Sequence, residues 1–148
     1  MAQKLIRGRL LSFKAEPRSI DDHDAYLFEE DGAVLVEDGV ILASGSFAEV
    51  AAGAEAGHAV VDHRPHLILP GFIDAHAHFP QMQVIASYGA ELLDWLNNYT
   101  FPEETRFSDI QHGRHIARLF FDELLRNGTT TVAAYCSVHK ESAEAFFS

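Results

Sequence analysis

The sequence is poor in cysteine, in positive charge and in long apolar runs, and each shortage excludes something. Cys136 is the single cysteine, so no internal disulfide forms and a reducing compartment is the economical expectation. Lysine and arginine number 11 against 22 aspartates and glutamates, a formal charge of −11. Such a surface repels phosphate backbones and anionic lipid on average, which argues against nucleic-acid or membrane-surface partners. No apolar run approaches the ~20 residues that span a bilayer. The basic stretch Met1 to Leu10 is not followed by the apolar core of a secretory leader, and these absences together lead to the expectation of a cytoplasmic protein.

What is present is 47% hydrophobic, 22% charged and 11% aromatic residues, a composition that excludes disorder and fibre and suits a packed core. Residues 1–66 read as short strands between turn signals: Leu5 to Phe13, Ala33 to Glu37, Val40 to Ser44 and Ala59 to His63. Asp38-Gly39 between two of them is a hairpin cue, the acidic segment Asp21 to Asp31 is expected as a solvated loop, and Ser46 is placed to cap a short helix ending near Gly53. This part carries no chemistry of its own.

The pattern changes at Leu67. The run Leu67 to Asp74 lacks polar alternation, as in a strand buried on both faces of a parallel sheet. Residues 83–98 suggest a helix in two pieces broken at Gly89. Ser108 is expected to cap a helix with Ile110, Ile116, Leu119, Phe120 and Leu124 on one stripe, stopped by Asn127-Gly128. Thr129 to Val138 reads as a strand and Ser142 onward as another helix. Alternation of strand and helix indicates βα units and a parallel sheet, an α/β class. Two strands cannot close such a sheet, so the chain is expected to be truncated: a small module over 1–66 and the first two βα units of a larger domain over 67–148.

His76-Ala-His78 places two imidazoles on one side of a strand, as two ligands of one metal require. Histidine is 9 of 148 residues, so about half such a pair arises by chance, and spacing alone decides little. Position adds weight, because ligands of parallel α/β folds collect at the carboxyl ends of strands.

The residues around the pair add more. Pro70-Gly-Phe-Ile-Asp-Ala-His-Ala-His78 resembles the first-strand motif of the amidohydrolase superfamily. His76-Ala-His-Phe-Pro-Gln81, Tyr88-Gly-Ala-Glu-Leu-Leu-Asp-Trp-Leu96, Tyr99-Thr-Phe-Pro-Glu103 and Leu125-Arg-Asn-Gly-Thr-Thr-Thr131 are similar, in the same order, to the guanine deaminase family within it. The resemblance covers residues 67–140 well and the N-terminal module loosely. It implies a (β/α)8 barrel beside a small β-sandwich built from both ends of the chain, and a homodimer. It also implies one zinc per subunit, held by His76, His78, a third histidine and an aspartate. Those last two ligands and the catalytic glutamate would lie beyond Ser148. The implied reaction is a step of purine catabolism: zinc-bound hydroxide attacks the ring carbon bearing the amino group, a carboxylate moves the proton to the leaving amine, and guanine becomes xanthine and ammonia.

Further positions carry readings of their own. Gln81, three residues past the second ligand, offers one amide donor and acceptor to a purine edge, against a solvated loop glutamine otherwise. Trp95 suits either an aromatic wall over the substrate or simple core packing. Asp74 is placed to orient one imidazole, and His139 sits at the active end of the second strand. His112 and His115 are expected to be solvated on the polar side of their helix, and Cys136 to be a small buried residue rather than a nucleophile. The alternatives are an aminohydrolase of the same superfamily acting on a methylthioadenosine, cytosine or triazine substrate, or an inactive fragment serving as an interaction module.

Overall fold

A computed structural model of the chain describes residues 3–148, in two units, the first ending at Pro70 and the second starting at Gly71. In the first, β1 (Lys4–Phe13), β2 (Tyr26–Glu37), β3 (Val40–Ser46) and β4 (Ala59–Ile68) form one sheet in the order β3-β2-β1-β4. β2 is antiparallel to both β1 and β3, and β4 runs parallel to β1. The β2–β3 hairpin turns at Asp38-Gly39 as expected. Both residues have positive φ, 52° and 79°, the conformation whose twist matches that of the flanking strands. Ser46 caps α1 (Phe47–Ala52): its hydroxyl accepts from the Glu49 N–H at 3.4 Å and donates to the Glu49 carboxylate at 2.8 Å. α1 then lays Val50, with Phe47, Ala51 and Ala54 around it, on Leu5, Ala33 and Leu35 of the sheet.

Two expectations for this unit are corrected. The acidic segment is not all loop, because β2 begins at Tyr26. Its charges are tolerated in a strand because Arg7 of β1 donates two hydrogen bonds to Asp31, at 2.6 and 2.7 Å, and Arg9 lies 3.2 Å from Glu30. Nor is Leu67 to Asp74 one strand. Leu67 and Ile68 finish β4 opposite Arg9 and Leu10, and a new strand starts at Phe72. Pro70 has no N–H for a ladder. Gly71 passes so close to Thr130 that any β-carbon would collide with that side chain.

In the second unit β5 (Phe72–His78) pairs in parallel with β6 (Thr129–Tyr135). The connection between them is helical almost throughout. A 3₁₀ turn at Phe79–Val84 is followed by α2 (Leu92–Trp95), a π-helical stretch Leu96–Thr100, α3 (Phe101–Thr105), a second 3₁₀ turn at Arg106–Ser108 and α4 (Ile110–Arg126). α5 (Lys140–Phe146) follows β6. The two-piece helix expected over 83–98 is therefore displaced. Its first piece is a 3₁₀ turn already begun at Phe79, and its second runs on past Leu96.

α4 packs Gly113, Ile116 and Ala117 inward, with Phe120 and Phe121 partly covered, against Phe79, Phe107 and Phe146. Phe79 and Phe107 meet edge to face with centroids 5.3 Å apart. Leu119 leaves the expected stripe and is 41% exposed, because a helical face at i, i+3, i+4 and i+7 runs Gly113, Ile116, Ala117, Phe120. Asn127 and Gly128, the latter at φ 79°, end the helix as expected.

The cap of α4 is also corrected. Asp109, not Ser108, accepts the Gln111 N–H at 2.9 Å, while the Ser108 hydroxyl donates back to the Thr105 carbonyl. Replacing Asp109 by Ala is therefore expected to cost about 1 kcal/mol of stability, the usual worth of such a cap, and Ser108→Ala well under half of that. Chemical denaturation of the two variants side by side measures the difference.

Candidate metal centre and cleft

The register of β5 puts His76 and His78 on one face at its carboxyl end, both exposed, with their Nε2 atoms 3.2 Å apart. Two bonds of 2.0–2.1 Å to one tetrahedral zinc would separate the donor nitrogens by roughly 3.3 Å. The pair is thus spaced to share one metal ion. Tyr135, opposite His78 in the β5–β6 register, stacks on the His78 ring at 4.9 Å and 15° and leans on His76 at 5.0 Å. Among the described residues no group of three or more His, Cys, Asp or Glu side chains is arranged to hold a metal, so this pair supplies half of a four-coordinate set.

Around the pair lies a cleft of 540 Å3 lined by His76, His78, Gln81, Met82, Ile85 and Trp95, among others. The chain reaches it by turning at once into the 3₁₀ helix after His78, with Phe79 and Pro80 buried beneath. Gln81 Nε2 donates to Glu104 Oε1 at 3.0 Å and lies 3.4 Å from His78 Nδ1. Trp95 is half-buried, and Gly89 comes so close that a β-carbon there would be 2.5 Å from the Trp95 β-carbon. The structure therefore brings His76, His78, Gln81 and Trp95 to one cleft.

Other expectations fare differently. The Asp74 carboxylate accepts from the main-chain N–H of His76 at 3.0 Å rather than from a ring, bracing the strand end instead of an imidazole. His112 is not solvated. Its side chain is 12% exposed, it packs edge to face on Phe107, and its Nε2 is 3.1 Å from Glu103 Oε1. Glu103, itself buried, also accepts from Arg106 at 2.7 Å, and Arg106 donates to Gln83 at 2.9 Å. A buried acid needs such partners, and the helix periodicity of His112 gave no hint of one. His115 is exposed as expected. His139 lies past the end of β6 at the start of α5, with Nδ1 3.2 Å from the Ser137 hydroxyl. Cys136 is partly covered by the second unit's core, and burial pushes its thiol above the ordinary range.

Two residues of the site escaped the sequence reading. Tyr135 sits within the expected second strand, but only the parallel register reveals that it faces the histidines. Glu104 adjoins the Tyr99 to Glu103 block and is distinguished from its neighbour Glu103 by nothing but its place in the fold.

Comparison with known proteins fits this arrangement. The chain belongs to the amidohydrolase family, whose profile matches residues 67–147. Within that class it is similar to guanine deaminase of Escherichia coli, 38% identical over 97% of this chain and 33% of the relative. Guanine deaminase from Bradyrhizobium japonicum superposes over 99% of this chain and 32% of its own, with TM-score 0.89 and 36% identity. The guanine deaminase of C. acetobutylicum, solved with guanine bound in its active site, covers 98% of this chain and 32% of its own with TM-score 0.74 and 31% identity. The chain thus spans about a third of the length of these relatives. Its β5–α4–β6 arrangement is the start of an amidohydrolase α/β barrel. Among the described residues no helix is long and apolar enough to cross a membrane.

Proposed function

We propose that this chain forms the metal-binding, purine-reading part of a zinc-dependent hydrolase that converts guanine and water to xanthine and ammonia. The reading rests on the Nε2 pair of His76 and His78, 3.2 Å apart in a cleft shared with Gln81 and Trp95. It is supported by the similarity of the whole chain to guanine deaminases.

In this reading His76 and His78 hold the metal. A zinc ion held there would act as a Lewis acid that makes water a better nucleophile near neutral pH. Tyr135 keeps both imidazoles from turning away, through the stacking distances above. Gln81 presents an amide to the polar edge of the base, and Trp95 gives the base a flat apolar wall. Phe79 and Pro80, buried in the same 3₁₀ turn, anchor the segment that carries Gln81. The proton-moving carboxylate that the resemblance implies has no counterpart at a matching motif in residues 1–148.

The test is a chimera in which residues 1–148 replace the matching third of the E. coli guanine deaminase. It should release ammonia from guanine and lose that activity on chelation. Release from another amino-heterocycle but not from guanine would overturn the assignment. In the same chimera Gln81→Ala should lower kcat/KM for guanine about 3- to 100-fold, from one lost hydrogen bond and a partner left unpaired, with zinc content unchanged.

A further inference from the structure

Glu104 lies in α3, away from the cleft lining, and its Oε1 accepts from Gln81 Nε2 at 3.0 Å. Gln81 lines the cleft and Glu104 does not, so the carboxylate holds the nitrogen end of the amide from outside the lining. An ionised carboxylate has lone pairs and no proton to give. Whichever way an isolated Gln81 amide would turn, the end that meets Glu104 is the NH2 group, and the carbonyl oxygen is left free. The contact of Gln81 Nε2 with His78 Nδ1, at 3.4 Å, is long for a hydrogen bond and does not compete with that grip. Glu104 is half-buried and its hydrogen bond to Gln81 is part-buried, so water screens it less than an exposed pair.

We propose that Glu104 is a positioning residue that fixes the Gln81 amide with its oxygen presented to the cleft as an acceptor, so that the site prefers a heterocycle offering an N–H at that edge. This rests on the proposed purine site and narrows it. A free base with a ring or exocyclic N–H there is bound, and one with an acceptor or an alkyl group in the same place is disfavoured because a buried polar group would go unpaired.

The test exchanges the two ends of the hydrogen bond. Gln81→Glu alone sets two carboxylates together and should raise KM for guanine at least about tenfold. Glu104→Gln alone lets the Gln81 amide turn either way and should raise KM about 3- to 10-fold with a smaller change in kcat. The double variant Gln81→Glu/Glu104→Gln restores one donor facing one acceptor and should recover most of the loss of Gln81→Glu. Such recovery marks direct coupling, which a merely structural role would not produce. Zinc content should stay constant across the series.

A second readout needs no turnover. In the 15N-labelled chimera the Gln81 side-chain amide protons should be protected from exchange, and Glu104→Ala should remove that protection. Unchanged protection in Glu104→Ala overturns the grip, and absent recovery in the exchanged pair overturns its part in selectivity. A chimera that is inactive on guanine throughout, with the protection effect intact, overturns the proposed function and leaves the positioning role established.

Discussion

Replacing His76 and His78 together by Ala in the chimera is expected to reduce bound zinc from near one per chain to near zero. The two nitrogens face each other at 3.2 Å, the spacing one tetrahedral ion imposes on two of its four ligands. Altering even the groups that support metal ligands usually costs 10- to 100-fold in affinity, so losing two ligands should cost more than about 100-fold. Folding is not expected to fail with them. Both side chains are exposed and lie outside the cluster of Phe79, Phe107, Ile116 and Ala117 that holds the unit together. Elemental analysis of the purified variant, beside circular dichroism to confirm the fold, makes the measurement. A folded double variant with undiminished zinc would show that the metal sits elsewhere.

The second large effect concerns the 148 residues alone. Their release of ammonia from guanine is expected to be at least about a hundredfold below that of the chimera, with weak zinc binding at best. Two imidazoles leave half of zinc's usual coordination to water, and among the described residues no third acid, histidine or cysteine joins them. The two-stranded β5–β6 sheet leaves Phe72 and Ile73 57% and 73% exposed, and uncovered apolar strands of this kind favour association over a defined cleft. Zinc titration and an ammonia assay on the purified chain test this. Turnover within a hundredfold of the chimera would mean that Asp74, His112, His115 or His139 completes a site in a way the present geometry does not suggest.

Where local chemistry governs the backbone, the sequence was readable. Asp38-Gly39 accepts positive φ at low cost, Ser46 caps because its hydroxyl reaches a free N–H, and Asn127-Gly128 ends α4 for the same class of reason. That His76 and His78 share one face at the carboxyl end of a strand was readable from position in a motif rather than from spacing. What was not readable depends on partners distant in the chain. Tyr26 to Asp31 resembles a loop until Arg7 and Arg9 are seen across the ladder. His112 belongs to the polar side of its helix until Glu103, nine residues earlier, is folded against it. Ser108 and Asp109 are both competent caps, and which one serves depends on where the preceding 3₁₀ turn delivers the chain. Glu104 becomes visible only when Gln81, far away in sequence, is placed beside it.

Trp95 is the sole tryptophan of the chain and lines the cleft that contains both histidines. Indole emission from residues 1–148 therefore originates at one location, without any label, and its environment is the space a ligand would enter. A paramagnetic ion such as Cu2+ captured by His76 and His78 should dim that emission along a saturable curve, because it is held in the cleft that Trp95 lines. The same ion scattered over the many surface carboxylates should give only shallow, linear quenching. Occupancy of the cleft can thus be followed optically at protein concentrations low enough to keep exposed apolar strands from finding one another.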